Sequence, residues 1–468
     1  MCKLKSAIIL KNRIFMPDYD SHSKMLEELK ITDDYFNASK VFVKAELSPA
    51  DGDVFSNINS WEFSVDQDIT PEWFDEKDCA ERMRNTVNEW AKTHIFIEQN
   101  GLAISHGENI FIKDCKNVDI YDNATVDSIC GAATVKSICG KATVKYIYDN
   151  ATVESICDNA TVERICGDAT VKSIYDNATV ESIYGNATVE NICGKATVKY
   201  ICDKTTVESI CDNATVESIC GKATVKYIHD NANVESICVA ATVESIYNNA
   251  TVESIYGNTT VKYICGKATV ENICGNTTVE NICGNTTVKY ICGKATVENI
   301  YSNVTVESIY DNATVDSICD NATVESICGK ATIENIYGNV TVKDICDNAT
   351  VTCIYGNTTV VNIHDNAMVR YTCGNAIVKH ICDSAIINNI YDNALVENAC
   401  GNALVNNICN NATVEYVYEN ATVISSPCIK WNNSASLVVS DNAIFKDCYA
   451  KTIFHAGKCK FIEVKYEN

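Results

Sequence analysis

Cysteine is the residue type with the most chemical potential in this chain, with 27 thiols among 468 residues. Thiolates bind soft metals, attack electrophiles and form disulfides. Twenty of them recur at one fixed place in a nine-residue unit. Tyrosine stands there eleven times and histidine twice, as His229 and His364. Zinc sites need converging ligands, usually announced by a spacing such as Cys-x-x-Cys, and no such pair occurs in the array. The thiols are therefore expected to be small half-buried groups in a reducing compartment. No metal and no cofactor is expected. Cysteines in neighbouring turns of a stacked chain would still have Cα atoms about 5 Å apart, within disulfide range.

A second cluster of reactive types is Asp18-Tyr19-Asp20-Ser21-His22. Asp18, Asp20 and His22 are the candidate site residues, because carboxylates and imidazole serve as bases and as metal ligands. Neighbours in a loop tend to point in different directions, and Asp and Ser are ordinary turn and cap residues. No catalytic role is assigned to them. Asp51-Gly52-Asp53 reads as a turn. The chain has no Gly-rich phosphate loop, no Gly-x-Ser-x-Gly elbow and no His-Glu-x-x-His. The expectation is a protein that is not an enzyme.

The elements that carry these residues come from the repeat. From Asp122 to Tyr418 the sequence is 33 nine-residue units without insertions. A representative unit is Asp149-Asn150-Ala151-Thr152-Val153-Glu154-Ser155-Ile156-Cys157. Positions three, five and eight are apolar. Ala and Val two apart share one side of a strand, and Thr between them points away. Positions six and seven are polar in succession, which implies a bend. The Asp-Asn, Gly-Asn or Gly-Lys pair suits a corner with positive φ. The pattern predicts two very short strands, a bend and a corner per unit. A helix is excluded, since the apolar spacing does not keep a 3.6-residue period. One unit cannot enclose its apolar side alone, whereas stacked coils can. The fold class expected is mainly β: a parallel β-solenoid with a small N-terminal α+β domain.

Charge decides the coil length. Lysine occupies the sixth position at 145, 172, 199 and 226, three units apart each time, with glutamate mostly between. A 27-residue coil would stack lysine on lysine, which is unfavourable across a ladder. An 18-residue coil places Lys172 between Glu154 and Glu190. Eighteen is favoured and 27 remains the alternative, because gene duplication tends to copy whole coils.

The Ala-Thr-Val core with its Asn/Gly corner resembles the left-handed β-helices of hexapeptide-repeat proteins, lengthened by three residues. Two units per coil is similar to pentapeptide-repeat proteins and calcium β-rolls. The Gly-Gly-x-Gly-x-Asp turn of the calcium nonapeptide is absent, so calcium is not expected. The unit also resembles arrays in uncharacterised proteins of gut bacteria and their phages, a likeness that implies no activity.

The expected division is an α+β capping or partner domain over 1–105, the solenoid over 106–427, and a degenerate coil with C-terminal cap over 428–468. In the first domain, Ala7–Leu10, Phe42–Leu47 and Trp61–Val65 read as strands. Ser23 is expected to cap a helix through Leu29, and Thr70-Pro71-Glu72 to start another. Met83, Val87, Trp90 and Ala91 form one apolar helical face. Trp431, Phe445, Phe454 and Phe461 are expected in the C-terminal cap.

Lys plus Arg is 38 and Asp plus Glu is 61, giving a net charge of −23. That balance argues against direct nucleic-acid or anionic-membrane binding. No signal peptide or transmembrane segment is read, so a cytoplasmic location is expected. Three functions follow in order. The first is a structural or interaction scaffold whose partner is a protein. The second is an acidic mimic of nucleic acid that binds a DNA-handling protein, as some pentapeptide-repeat proteins are thought to do. The third is an enzyme or ligand site in the N-terminal domain with the solenoid as spacer.

Overall fold

The computed structural model describes residues 5–425, 436–440, 443–446, 452–456 and 460–462. The chain divides into two compact units, Met1–Val189 and Glu190–Asn468. Trp431 lies outside the described residues, as do the side chains of Phe445, Phe454 and Phe461.

The first unit opens with an α+β layer. Its elements are β1 (Lys5–Leu10), β2 (Arg13–Phe15), α1 (His22–Glu28), α2 (Tyr35–Ala38), β3 (Phe42–Ser48), β4 (Glu62–Val65) and α3 (Glu76–His94). The four strands form an antiparallel sheet in the order β2-β1-β3-β4. Met83, Val87 and Trp90 of α3 are buried with Ala7, Ile9, Val43 and Trp61 of the sheet and its approach, as the helical apolar face requires.

Two helix starts differ from expectation. α1 is capped by Ser21, whose Oγ accepts from the Lys24 backbone N–H at 3.4 Å, rather than by Ser23. α3 starts at Asp75, whose carboxylate accepts from the Asp78 N–H at 2.9 Å. Thr70-Pro71-Glu72 instead leads into a turn closed by Phe74 N–H on the Pro71 carbonyl at 2.9 Å. Proline suits a turn as well as a helix start, and the carboxylate at Asp75 decides between them.

Parallel pairing begins where α3 ends. Ile95 pairs with Phe111, Phe111 with Ser128, and Ile129 with Ile147, so the step lengthens at each turn until it reaches two full repeat units. Phe111 belongs to the core of the α+β layer and meets Phe55 edge-on, with ring centroids 6.5 Å apart. The layer thereby covers the apolar start of the solenoid.

Within the repeat array the coils are two repeat units long, and past Tyr416 the step changes to 22 residues and then 16. In the first compact unit Thr134–Ile138 pairs with Thr152–Ile156, and Thr143–Ile147 with Thr161–Ile165. In the second, Thr206–Ile210 pairs with Thr224–Ile228, and Thr215–Ile219 with Asn233–Ile237. Alternate repeats thus build two parallel sheets. A coil of three repeats is excluded by this register.

Each repeat forms one strand, of five residues after the six-residue Thr125–Cys130, instead of the two shorter ones expected. The bend is confined to one residue. Ladder partners are the fourth, fifth, seventh and eighth positions, and the sixth is skipped. Ala, Val and Ile at positions three, five and eight are fully buried. Hydrogen bonds continue around the corners: Cys157 N–H donates to Ile138 O at 2.9 Å and Asn159 N–H to Gly140 O at 2.9 Å. This leaves few backbone groups without partners in the interior.

The corners explain the first two positions of the repeat. The opening residue has positive φ at Asp149, Asp158, Gly167 and their equivalents. Glycine suits it because a Cβ on Gly221 would lie 2.6 Å from the backbone nitrogen of Asp203. Aspartate suits it because its carboxylate reaches the coil before: Gly140 N–H donates to Asp158 Oδ2 at 3.0 Å, and Gly329 N–H to Asp347 Oδ2 at 3.0 Å. The second-position asparagines bond side chain to side chain from Asn285 to Asn303, Asn321, Asn339 and onward, at 3.0–3.3 Å. Val239 and Thr372 are among the positions that depart from the rule. Val239 holds φ +66° at a corner, and Thr372 replaces the buried isoleucine with a hydroxyl that finds no hydrogen-bond partner.

Candidate functional site

The structure places Asp18, Asp20 and His22 close in sequence but on different partners. His22, the first residue of α1, has Nδ1 3.1 Å from Asp66 Oδ2 and Nε2 3.2 Å from the Ala45 carbonyl. Asp20 accepts from the Ser6 backbone N–H at 3.1 Å. Burial raises its carboxyl above the ordinary carboxylate range, opposed by that N–H and by Lys5. Asp18 lies 3.4 Å from His94 Nε2 at the end of α3, and its carbonyl accepts from Asn109 Nδ2 at 2.6 Å.

The cluster is held together around Lys5 rather than around a substrate space. Lys5 is buried, donates to the Pro17 carbonyl at 3.0 Å and sits 4.7 Å from the centre of a Trp90 ring. Burial lowers its pKa, against the pull of Asp20 and Asp18. These contacts tie β1, the loop before α1, the end of α3 and the first coils into one polar joint. His22 does meet two carboxylates that its neighbours in sequence do not supply: ligand atoms of His22, Glu46 and Asp66 lie within 4.8 Å of one another. Strand β3 and the residue after β4 deliver them, so no local motif could show the grouping.

The sixth-position charges form the second candidate surface. Lysines meet acids one coil away: Lys145 with Asp127 at 2.5 Å, Lys172 with Glu154 at 3.6 Å, Lys226 with Glu208 at 3.4 Å and Lys289 with Glu271 at 3.1 Å. In the second compact unit a shallow groove of about 550 Å³ runs across five strands of one sheet, floored by Thr206, Thr224 and Thr242 and edged by Glu208, Lys226 and Glu244. The skipped sixth residue bends each strand, and bends in register make the groove. A similar hollow on the other sheet is lined by Thr269, Thr287 and Thr305 with Glu271 and Lys289.

The ninth-position residues form ladders at the two edges, with one rung per coil. All the described cysteines are free thiols. Burial pushes Cys202, Cys346 and Cys382 up to about 12, and Cys130, Cys265 and Cys373 up to about 11. Where tyrosine follows cysteine in a ladder, its hydroxyl reaches the sulfur: hydrogen bonding to Cys283 and Cys292, then burial, pushes Tyr301 and Tyr310 up to about 12. Cys346, His364 and Asp365 place ligand atoms within 4.8 Å of one another, as do Cys328, Cys346 and Asp347, and Cys193, Cys211 and Asp212. A Cys-x-x-Cys spacing does not reveal these, because each set joins two neighbouring coils: one ninth-position ligand stands 18 residues from the other, and the aspartate follows the second. The signal in the sequence was the recurrence of unlike ligands every second repeat.

No helix among the described residues is long and apolar enough to cross a membrane. Comparison of the chain with protein-family models, with curated proteins and with solved structures finds no match.

Proposed function

We propose that the protein is a non-enzymatic interaction scaffold whose solenoid faces present a repeating surface to a protein partner. The observation that carries this reading is the register of outward residues. The same threonine floor recurs coil after coil in grooves on both sheets, edged on one by alternating Glu208, Lys226, Glu244 and Lys262 and on the other by Glu271, Lys289, Glu307 and Glu325. A solenoid supplies such extended area from one folding unit. The dispersed N-terminal residues support the same reading, since Asp18, Asp20 and His22 are each engaged elsewhere.

The acidic-mimic reading has less support. A mimic wants a continuous negative track, and Lys172, Lys226 and Lys289 interrupt it by pairing with the acids beside them. The test is capture from host extract by the full chain and by a variant carrying Glu208→Lys and Glu244→Lys. The scaffold reading expects a nuclease-resistant protein partner, lost from the variant. A partner held equally by both chains would contradict use of this groove. One released from the full chain at moderate salt and known to bind DNA would favour mimicry.

A further inference from the structure

Both histidines at the ninth position stand in the same setting. Each follows two cysteines in its ladder, and the second cysteine and the histidine are each followed by aspartate: Cys193, Cys211-Asp212, His229-Asp230 and Cys328, Cys346-Asp347, His364-Asp365. The three groupings of metal-ligand types within the described array fall in these two places. Other adjacent thiols in the ladders, such as Cys202 and Cys220, lack a histidine in the next coil.

We propose that these two edges are binding sites for a borderline-soft d¹⁰ ion, Zn²⁺, the one centred on Cys346 being the tighter. Cys346 belongs to two overlapping ligand sets, with Cys328 and Asp347 on one side and His364 and Asp365 on the other, each within 4.8 Å. Tetrahedral zinc takes thiolate at about 2.3 Å and imidazole at about 2.0–2.1 Å, so ligand atoms must approach to within about 4 Å of one another. The ladder brings them near that range before any ion is bound. His364 Nδ1 lies 3.0 Å from Asp365 Oδ2. A carboxylate on one ring nitrogen fixes the tautomer that presents Nε2 as the ligand, the arrangement common around protein zinc, so Asp365 acts there by orienting the ring, and Nε2 itself lies 3.9 Å from Asp344 Oδ1. Asp365 is itself anchored, since its Oδ2 accepts from the Asp347 backbone N–H at 3.2 Å.

At the first edge the histidine is held away. His229 Nε2 is 2.8 Å from Ser209 Oγ, and its ring stacks on Tyr247 at 4.9 Å. Cys193, Cys211 and Asp212 are the ready ligands there, which makes this site the weaker. Zinc takes cysteine as the thiolate, so binding releases protons.

The array itself provides safe substitutions, because tyrosine fills the ninth position elsewhere. The experiment is a zinc titration of the reduced full chain against a chromophoric chelator, with Co²⁺ as a spectroscopic substitute and thermal melts as a check on folding. Two equivalents are expected, with thiolate-to-cobalt charge transfer. Cys346→Tyr removes the tighter equivalent and abolishes its thermal stabilisation by zinc. His364→Tyr weakens that equivalent by at least about tenfold, and Cys211→Tyr removes the other. Binding of equal stoichiometry and affinity in wild type and Cys346→Tyr would overturn the proposal, as would wild type that leaves all zinc on the chelator.

Discussion

The N-terminal layer and the coils enclose apolar groups in different ways. In the layer each buried side chain has its own place: Trp61, Met83 and Trp90 pack where no other residue recurs. In the coils three positions carry the interior, and every copy meets copies of itself above and below. The layer therefore depends on particular shapes and the array on position. A residue in the array can be judged by its place in the nine, whereas one in the layer cannot.

The broadest way to break that comparison is alkali. Thiols along the ladders are held above the ordinary 9.0 by burial, at about 11–12 for Cys130, Cys202, Cys265, Cys346, Cys373 and Cys382. A folded value above the unfolded one gives stability that is complete below about pH 9 and lost as pH rises through the folded value. The melting temperature of the coils should fall steeply between pH 9 and 12 under reducing conditions, followed by far-UV circular dichroism. A flat profile over that range would show that the thiols are solvated.

Trp61→Ala tests the layer. Trp61 is 1% exposed, and its Nε1 donates to Ser56 Oγ at 3.1 Å. Its loss should cost about 3–5 kcal/mol in chemical denaturation. Ile165→Ala and Ile309→Ala test the array, one in each compact unit, at identical positions with no exposed surface. Each should cost about 2–5 kcal/mol, and the two values should agree. A large disagreement would mean that place in the nine does not set the environment.

Much of this was legible in the sequence because a repeat states its own rule many times. The enclosed Ala, Val and Ile and the outward Thr followed from alternation, and the two-repeat coil from the lysines at 145, 172, 199 and 226. The single strand per repeat was not legible, because polar residues at positions six and seven look alike whether the chain bends at one residue or two. The partners of His22 were illegible for another reason: Glu46 and Asp66 arrive from strand pairing far along the chain. The zinc ligands lay between these cases. Their spacing was visible, but only the coil length shows which cysteine neighbours which histidine.

Smaller effects come from two array positions that depart from its rule. Thr372→Ile replaces an unpartnered buried hydroxyl between Ile354 and Ile390. It should raise stability by about 1–3 kcal/mol. Val239→Asp relieves a β-branched residue at φ +66° and should gain about 1–2 kcal/mol. Both are read by denaturant melts, and a loss in either would show that the exception is favoured locally. Smallest is Lys172→Glu, which removes the contact with Glu154 at 3.6 Å and sets like charges on neighbouring coils. The cost should be about 1 kcal/mol or less and should shrink with added salt.

The stacking register is tested most directly by mild oxidation of the native chain followed by disulfide mapping. Adjacent Cα atoms in a ladder are about 5 Å apart, within reach of a disulfide. Bonds should join Cys139 to Cys157, Cys202 to Cys220, Cys265 to Cys283 and Cys382 to Cys400, each pair two repeats apart. Bonds joining Cys139 to Cys166, Cys193 to Cys220 or Cys382 to Cys409, each pair three repeats apart, would contradict the two-repeat coil.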